Sequence, residues 1–142
     1  MDSRNEIKNE DAKQNVTLEW LDDAKIAIIT AHGSSRKEAE AWVDISEELI
    51  RDWEPDKKFA VMYDAKWVFL SPYVRRRAEL ITQITKEKAL KGRYAVVVSD
   101  NVMGQATSIF INFTIRGRVA DGLEGQCFTS REDALAWLRD QF

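Results

Sequence analysis

The sequence predicts an α/β fold: one domain with a mostly parallel sheet, an antiparallel edge strand and the element order ββαβαβαβα. Three observations carry this. Short continuous apolar runs, KIAIITA, FAVMY and YAVVV, have the length and character of strands covered on both faces. Between and after them lie stretches with helically spaced apolar residues and Ser-rich starts. The alternation of the two implies parallel pairing through right-handed crossovers.

The elements follow in order. Residues 1–14, MDSRNEIKNEDAKQ, hold one large apolar residue, Ile7, and read as a disordered polar tail before a domain spanning 15–142. Val16-Thr17-Leu18-Glu19-Trp20 alternates apolar and polar, as a half-buried strand does. Asp22-Asp23 marks a turn, and Lys25 to Ala31 forms the second strand of an antiparallel hairpin. Ser35 with Glu38 three residues later forms a capping box, which opens a helix reaching about Trp53. Ala39, Trp42, Ile45, Leu49 and Trp53 line its apolar stripe, and Pro55 ends it.

Phe59 to Tyr63 is the next strand. Ser71 is an N-cap with Pro72 at the first helical position, where a missing N–H costs nothing. This helix is expected to run to about Leu90 and to stop at Gly92. Tyr94 to Val98 is a central strand, and Ser99-Asp100-Asn101 caps a helix to about Ile115. Met103, Ala106, Ile109, Phe110 and Phe113 lie on one face of that helix, and Ile111 and Ile115 on another. A polar connection from Gly117 to Gly125 leads to a last strand at Gln126-Cys127-Phe128. Ser130 to Asp133 opens the final helix, with Ala134, Leu135, Leu138 and Phe142 on its core face.

Composition excludes several classes. The chain of 142 residues, 44% hydrophobic and 32% charged, matches an ordinary globular domain able to bury a core without disulfides or metals. Five Trp indicate much aromatic area in the core or an interface. The formal charge of -3 argues against nucleic-acid binding, which needs a positive field. One Cys and one His cannot build a zinc site, and a lone Cys fits a reducing compartment. The first residues are polar, no apolar run approaches the roughly 20 residues that span a bilayer, and the expected location is the cytoplasm. HGSSRK, from His32 to Lys37, lacks the spacing of a phosphate-binding Walker loop, so nucleotide hydrolysis is rejected. No cofactor is expected, and no catalytic motif stands out.

The ending QCFTSREDALAWL, from Gln126 to Leu138, resembles the signature end of SpoIIAA-like proteins in the STAS/SEC14 group. There a strand closing in Phe precedes a polar cap and an Ala-x-x-Trp-Leu helix. FAVMYDA and the helix after Ser71 match the same layout, so the resemblance covers about Val16 to Phe142. It implies a STAS/SpoIIAA-like sandwich and a non-enzymatic regulatory or protein-interaction module. In the anti-sigma factor antagonists of that group, a Ser at the start of the second helix is phosphorylated and its surroundings bind a partner kinase. Ser71 is the nearest match and the candidate phosphoacceptor. Leu70-Ser71-Pro72-Tyr73 stands where those relatives carry an Asp-Ser-Ser/Thr-Gly type sequence. Other relatives hold apolar or lipid-like ligands between sheet and helices, which gives the alternative of a carrier or sensor.

Two candidate regions follow from the residues themselves. In a parallel sheet the loops after the strand carboxyl ends gather on one edge, where ligands bind. Those loops carry His32, Ser34, Asp64, Ser99 and Asp100. The second region is Trp67, Val68, Phe69 and Leu70, too apolar for a loop left in water. These residues complete the core, form a dimer face, or wall an apolar pocket together with Met103 and Phe110. A homodimer, an unidentified protein partner and a small apolar ligand are the expected partners. The three arginines of Arg75-Arg76-Arg77 fan around their helix instead of forming one stripe.

Overall fold

The computed structural model describes residues 15–68, 71–101 and 122–142. The strands are β1 (Val16–Leu21), β2 (Ile26–Ala31), β3 (Phe59–Asp64), β4 (Gly92–Val97) and β5 (Leu123–Phe128). The described helices are α1 (Arg36–Asp52), α2 (Pro72–Glu87) and α3 (Arg131–Arg139). The tail 1–14, the helix expected after the Ser99-Asp100-Asn101 cap to about Ile115, and the candidates Phe69, Leu70, Met103 and Phe110 lie outside the described residues.

The five strands stand in sequence order, β1-β2-β3-β4-β5. β1 pairs antiparallel with β2, and the other three pairings are parallel. The fold class expected from the sequence is therefore present at the level of an α/β domain with a mostly parallel sheet and one antiparallel pair. Period-two alternation divides the apolar strands between two cores. Ala27, Ile29, Phe59, Val61, Tyr63 and Val96 face the larger one, with Trp42, Val43, Leu49 and Ile50 of α1 and Val74, Ile81 and Ile84 of α2. Ile26, Ile28, Ala60, Met62, Ala95 and Val97 face the smaller one, closed by Ala134 and Leu138 of α3. Crossovers of one hand explain why α1 and α2 share a face and pack on each other.

Local details depart from expectation for identifiable reasons. The hairpin turn takes three consecutive residues, Asp22, Asp23 and Ala24, through positive φ. α2 ends at Glu87, with Lys88 as C-cap and Ala89 in the left-handed conformation, so Gly92 does not stop it. Gly92 instead opens β4 at φ 144, where a Cβ would sit 2.1 Å from the Phe59 carbonyl oxygen. That close approach requires glycine. β5 begins at Leu123, earlier than expected, because Gly125 lies inside the strand under the Tyr94 ring. Phe142 is exposed and takes no place in the core of α3. Along α1, Ala39 and Ile45 are half-buried, while Ala41, Val43 and Ile50 are buried.

The edge of the sheet where α1 and α2 end is tied by one cation. Lys88 Nζ donates to the carbonyls of Ile50 at 2.9 Å, Arg51 at 2.7 Å and Trp53 at 2.7 Å. A cation at a helix C-terminus satisfies acceptors that the helix itself cannot.

Candidate functional site

The pairing register brings the carboxyl ends of four strands level. Thr30 pairs with Asp64, Asp64 with Val97, and Val97 with Phe128. Each described helix starts from this edge. The hydroxyls of Ser35, Ser71 and Ser130 accept backbone N–H groups of Glu38 at 3.2 Å, Val74 at 3.2 Å and Asp133 at 3.3 Å. At α1 the box is complete, because Glu38 Oε1 accepts the Ser35 N–H at 3.1 Å. Gly33 makes room for it, since a Cβ there would meet Glu38 Oε2. The Ser35 hydroxyl holds the Glu38 carboxyl below the usual carboxylate range.

Asp64 is the best-determined polar residue on this edge. Its side chain is 5% exposed, and Oδ2 lies 2.7 Å from Nη1 of Arg131, the first residue of α3. The same Nη1 donates to Thr30 Oγ1 at 3.1 Å, and the Lys66 N–H donates to Asp64 Oδ1 at 3.2 Å. Thr30 is also buried. This pair closes the smaller core at its upper end. A second pair closes the lower end, where Arg139 donates to both oxygens of Asp22 at 2.7 and 2.9 Å. That hydrogen bond holds the Asp22 carboxyl below its ordinary value.

The remaining candidates divide into separate environments. His32 is exposed; its backbone N–H donates to the Asn15 carbonyl at 2.6 Å, and its Nε2 lies 3.2 Å from Thr17 Oγ1. Asp64 has a different set of partners, so the two do not form an acid–base pair. Ser34 and Asp100 are exposed, and Ser99 Oγ accepts the Asn101 N–H at 3.4 Å. Among the described residues, no group of three or more His, Cys, Asp or Glu is placed to hold a metal ion. No described helix is long and apolar enough to cross a membrane.

The apolar turn after β3 splits between the two environments. Ala65 is buried, with its N–H on the Val97 carbonyl at 2.8 Å. Val68 packs on the larger core. Trp67 points away and is 61% exposed, the most exposed large apolar residue among those described. Core completion, one of three expectations for this turn, therefore holds for Val68 and fails for Trp67. Tyr73, on the first turn of α2, is also exposed, with Arg77 lying over its ring. Arg77 is held by Asp44 of α1 at 2.8 Å, while Arg76 is exposed to solvent.

An aromatic row crosses the larger core. Trp42 meets Tyr63 edge-on with centroids 6.1 Å apart, and Tyr63 meets Tyr94 at 6.1 Å. Burial, with the Tyr94 phenol beside it, pushes the Tyr63 hydroxyl above its ordinary pKa. Burial likewise pushes Tyr94 up to about 12. The indole Nε1 of Trp42 is buried and has no hydrogen-bond partner.

Comparison with family models, with curated proteins and with solved structures finds no match for this chain.

Sequence reasoning located Asp64 and the exposed Trp67 but missed Thr30, Arg131 and the state of Trp42. A signal for the first two was present. Thr30 and Asp64 are polar interruptions of otherwise apolar strands, and Arg131 places a cation in a first helical turn where acids are favoured. Trp42 read as one member of an apolar stripe, and spacing carries no information on whether its N–H finds an acceptor.

Proposed function

We propose that this chain is a non-enzymatic regulatory module of the SpoIIAA-like, STAS/SEC14 type. It binds a protein partner through the turn 65–68 and the head of α2. The observation that carries this reading is Trp67, which is 61% exposed directly before the Ser71 cap although the same turn sends Ala65 and Val68 inward. An exposed Trp costs hydration, and Trp is among the residues most enriched at binding hot spots. The sequential sheet order, with its antiparallel first strand, and the Ser-capped α2 support the family part of the reading. Cytoplasmic location and self-association as a homodimer belong to it as well.

Ser71 is the regulatory residue in this account. Its hydroxyl caps α2, so a phosphate there would lie at a helix N-terminus, where the macrodipole favours negative charge. A photo-reactive amino acid at position 67, introduced in the native host, tests the reading. The expected result is a discrete protein adduct that is missing when the probe stands at Gln83. Equal labelling at both positions, or none at 67, removes the partner site.

A second reading, a carrier or sensor for a small apolar ligand held under the turn at 65–70, is favoured by one specific observation. It is the buried, unpartnered indole N–H of Trp42.

A further inference from the structure

We propose that the open edge of β1 is a docking surface for a second copy of this chain, which pairs antiparallel with it about a twofold axis at Leu18. The inference goes beyond the partner site at the turn 65–68 and is independent of it. β1 ends the sheet, and among the described residues no strand pairs with its outer side. Its sequence, VTLEWL, contains no proline and no basic residue, and it pairs with β2 without a bulge. Edges that stay unpaired usually carry such devices. Here Leu18 and Trp20 are 40% and 42% exposed. The Trp20 ring is already held, stacked on Trp53 with centroids 5.7 Å apart, so little freedom is lost when it is covered.

One bond fixes which backbone groups face outward. The His32 N–H donates to the Asn15 carbonyl at 2.6 Å, so Asn15 turns its polar backbone groups toward β2. Alternation gives the same orientation to Thr17, Glu19 and Leu21, and turns those of Val16, Leu18 and Trp20 outward. Across a twofold axis perpendicular to the sheet, outward residues must stand opposite outward residues. Centred on Leu18, the register sets Leu18 against Leu18 of the second copy and Val16 against its Trp20, an aliphatic pair and an aromatic–β-branched pair. Val16 keeps its side chain in the larger core, so Leu18 and Trp20 supply most of the new apolar contact. On the other face Thr17 meets Glu19 of the second copy, and Glu19 is exposed. With the proton on Nε2, His32 donates to Thr17 Oγ1 at 3.2 Å, and the Thr17 O–H then has that carboxylate as acceptor. A slip of two residues one way sets Glu19 against Glu19, and the other way carries Trp20 past the end of the opposing strand.

A six-residue strand spans about 20 Å, and a contact of that length stays below the roughly 1,200 Å² of a standard interface. The pair is therefore weak, apart at about 5 µM and formed near about 1 mM. Amide exchange by NMR on the unaltered chain reads it directly. Between those concentrations the Leu18 and Trp20 amides should gain protection, while those of Thr17 and Glu19, already bound to β2, should not change. Sedimentation should show monomer passing to dimer and no further. Leu18→Lys sets like charges against each other at the axis and should abolish the dimer, whereas Trp67→Ser should leave it intact. Under oxidation Leu18→Cys should link position 18 to position 18, because residues of a hydrogen-bonded pair stand about 5.5 Å apart, within disulfide reach. If Leu18→Lys does not fold, the Leu18→Cys link decides. Unchanged Leu18 and Trp20 amides, a dimer that survives Leu18→Lys, or a link through Glu19→Cys in place of Leu18→Cys overturns the proposal. Loss of the dimer in Trp67→Ser overturns it too, and moves self-association to the turn.

Discussion

Removing either member of the Asp64–Arg131 pair should destabilise the fold, but by unequal amounts. Arg131→Met leaves the Asp64 carboxylate, 5% exposed, facing an apolar side chain, with the Lys66 N–H as its remaining charge-free donor. Breaking a buried pair this way costs about 3–5 kcal/mol, because an uncompensated charge stays inside. Removing a cation from the first turn of α3 returns about 0.3–1 kcal/mol through the helix dipole. A net loss of about 3 kcal/mol is expected. Asp64→Asn differs because Arg131 is 37% exposed and turns toward water. Asn still accepts the Lys66 N–H, so the expected cost is about 1 kcal/mol, that of one ordinary hydrogen bond. Urea unfolding followed by Trp fluorescence measures both. With a slope of about 1–3 kcal/mol per molar, Arg131→Met should lower the midpoint by about 1–3 M. The reasoning is refuted if Asp64→Asn costs as much as Arg131→Met.

Three further outcomes are expected. Gly92→Ala forces a Cβ to 2.1 Å from the Phe59 carbonyl oxygen at φ 144. It should cost more than about 2 kcal/mol, with a clear fall in Tm by calorimetry. Lys88→Met strands the carbonyls of Ile50, Arg51 and Trp53 and should cost about 1–3 kcal/mol in the same urea assay. Tyr63 and Tyr94 both have folded-state pKa values above the unfolded one, so the stability they contribute is complete below about pH 10 and declines above it. The decline should approach about 2.7 kcal/mol per pH unit while both phenols stay protonated in the fold, and Tyr63→Phe should halve it.

The fold was legible where hydrophobic period and cap chemistry agree. Ser35 with Glu38, Ser71 with Pro72, and Ser130 all mark helix starts in the sequence and cap helices in the structure. The strand cores FAVMY and YAVVV needed only their apolar runs. What stayed hidden depends on contacts between residues distant in sequence. Gly92 read as a helix stop because nothing local reveals that Phe59 passes against it. Gly125 read as loop because the Tyr94 ring that demands it belongs to another strand. The polar edge was legible as a set of loops, but Arg131 reaches Asp64 from 67 positions away, and no pattern along the chain encodes that reach. Trp67 and Val68 illustrate the same limit. The run of apolar residues was evident, whereas its division into one exposed and one packed residue follows from the turn geometry after β3.

The most direct measurement is native mass spectrometry of the protein purified from its own host, run beside Trp67→Ser and beside a denatured spectrum of each. The account predicts that the native parent carries a second protein chain, an identical copy or a different one. Trp67→Ser should lose it while keeping its fold, since substituting a 61% exposed side chain shifts stability by no more than about 0.5 kcal/mol. Phosphate mass that survives denaturation and maps to Ser71 would add the regulatory step. A bare monomer for the parent, or a complex that Trp67→Ser retains in full, would contradict the claim that this turn is where the protein meets its partner.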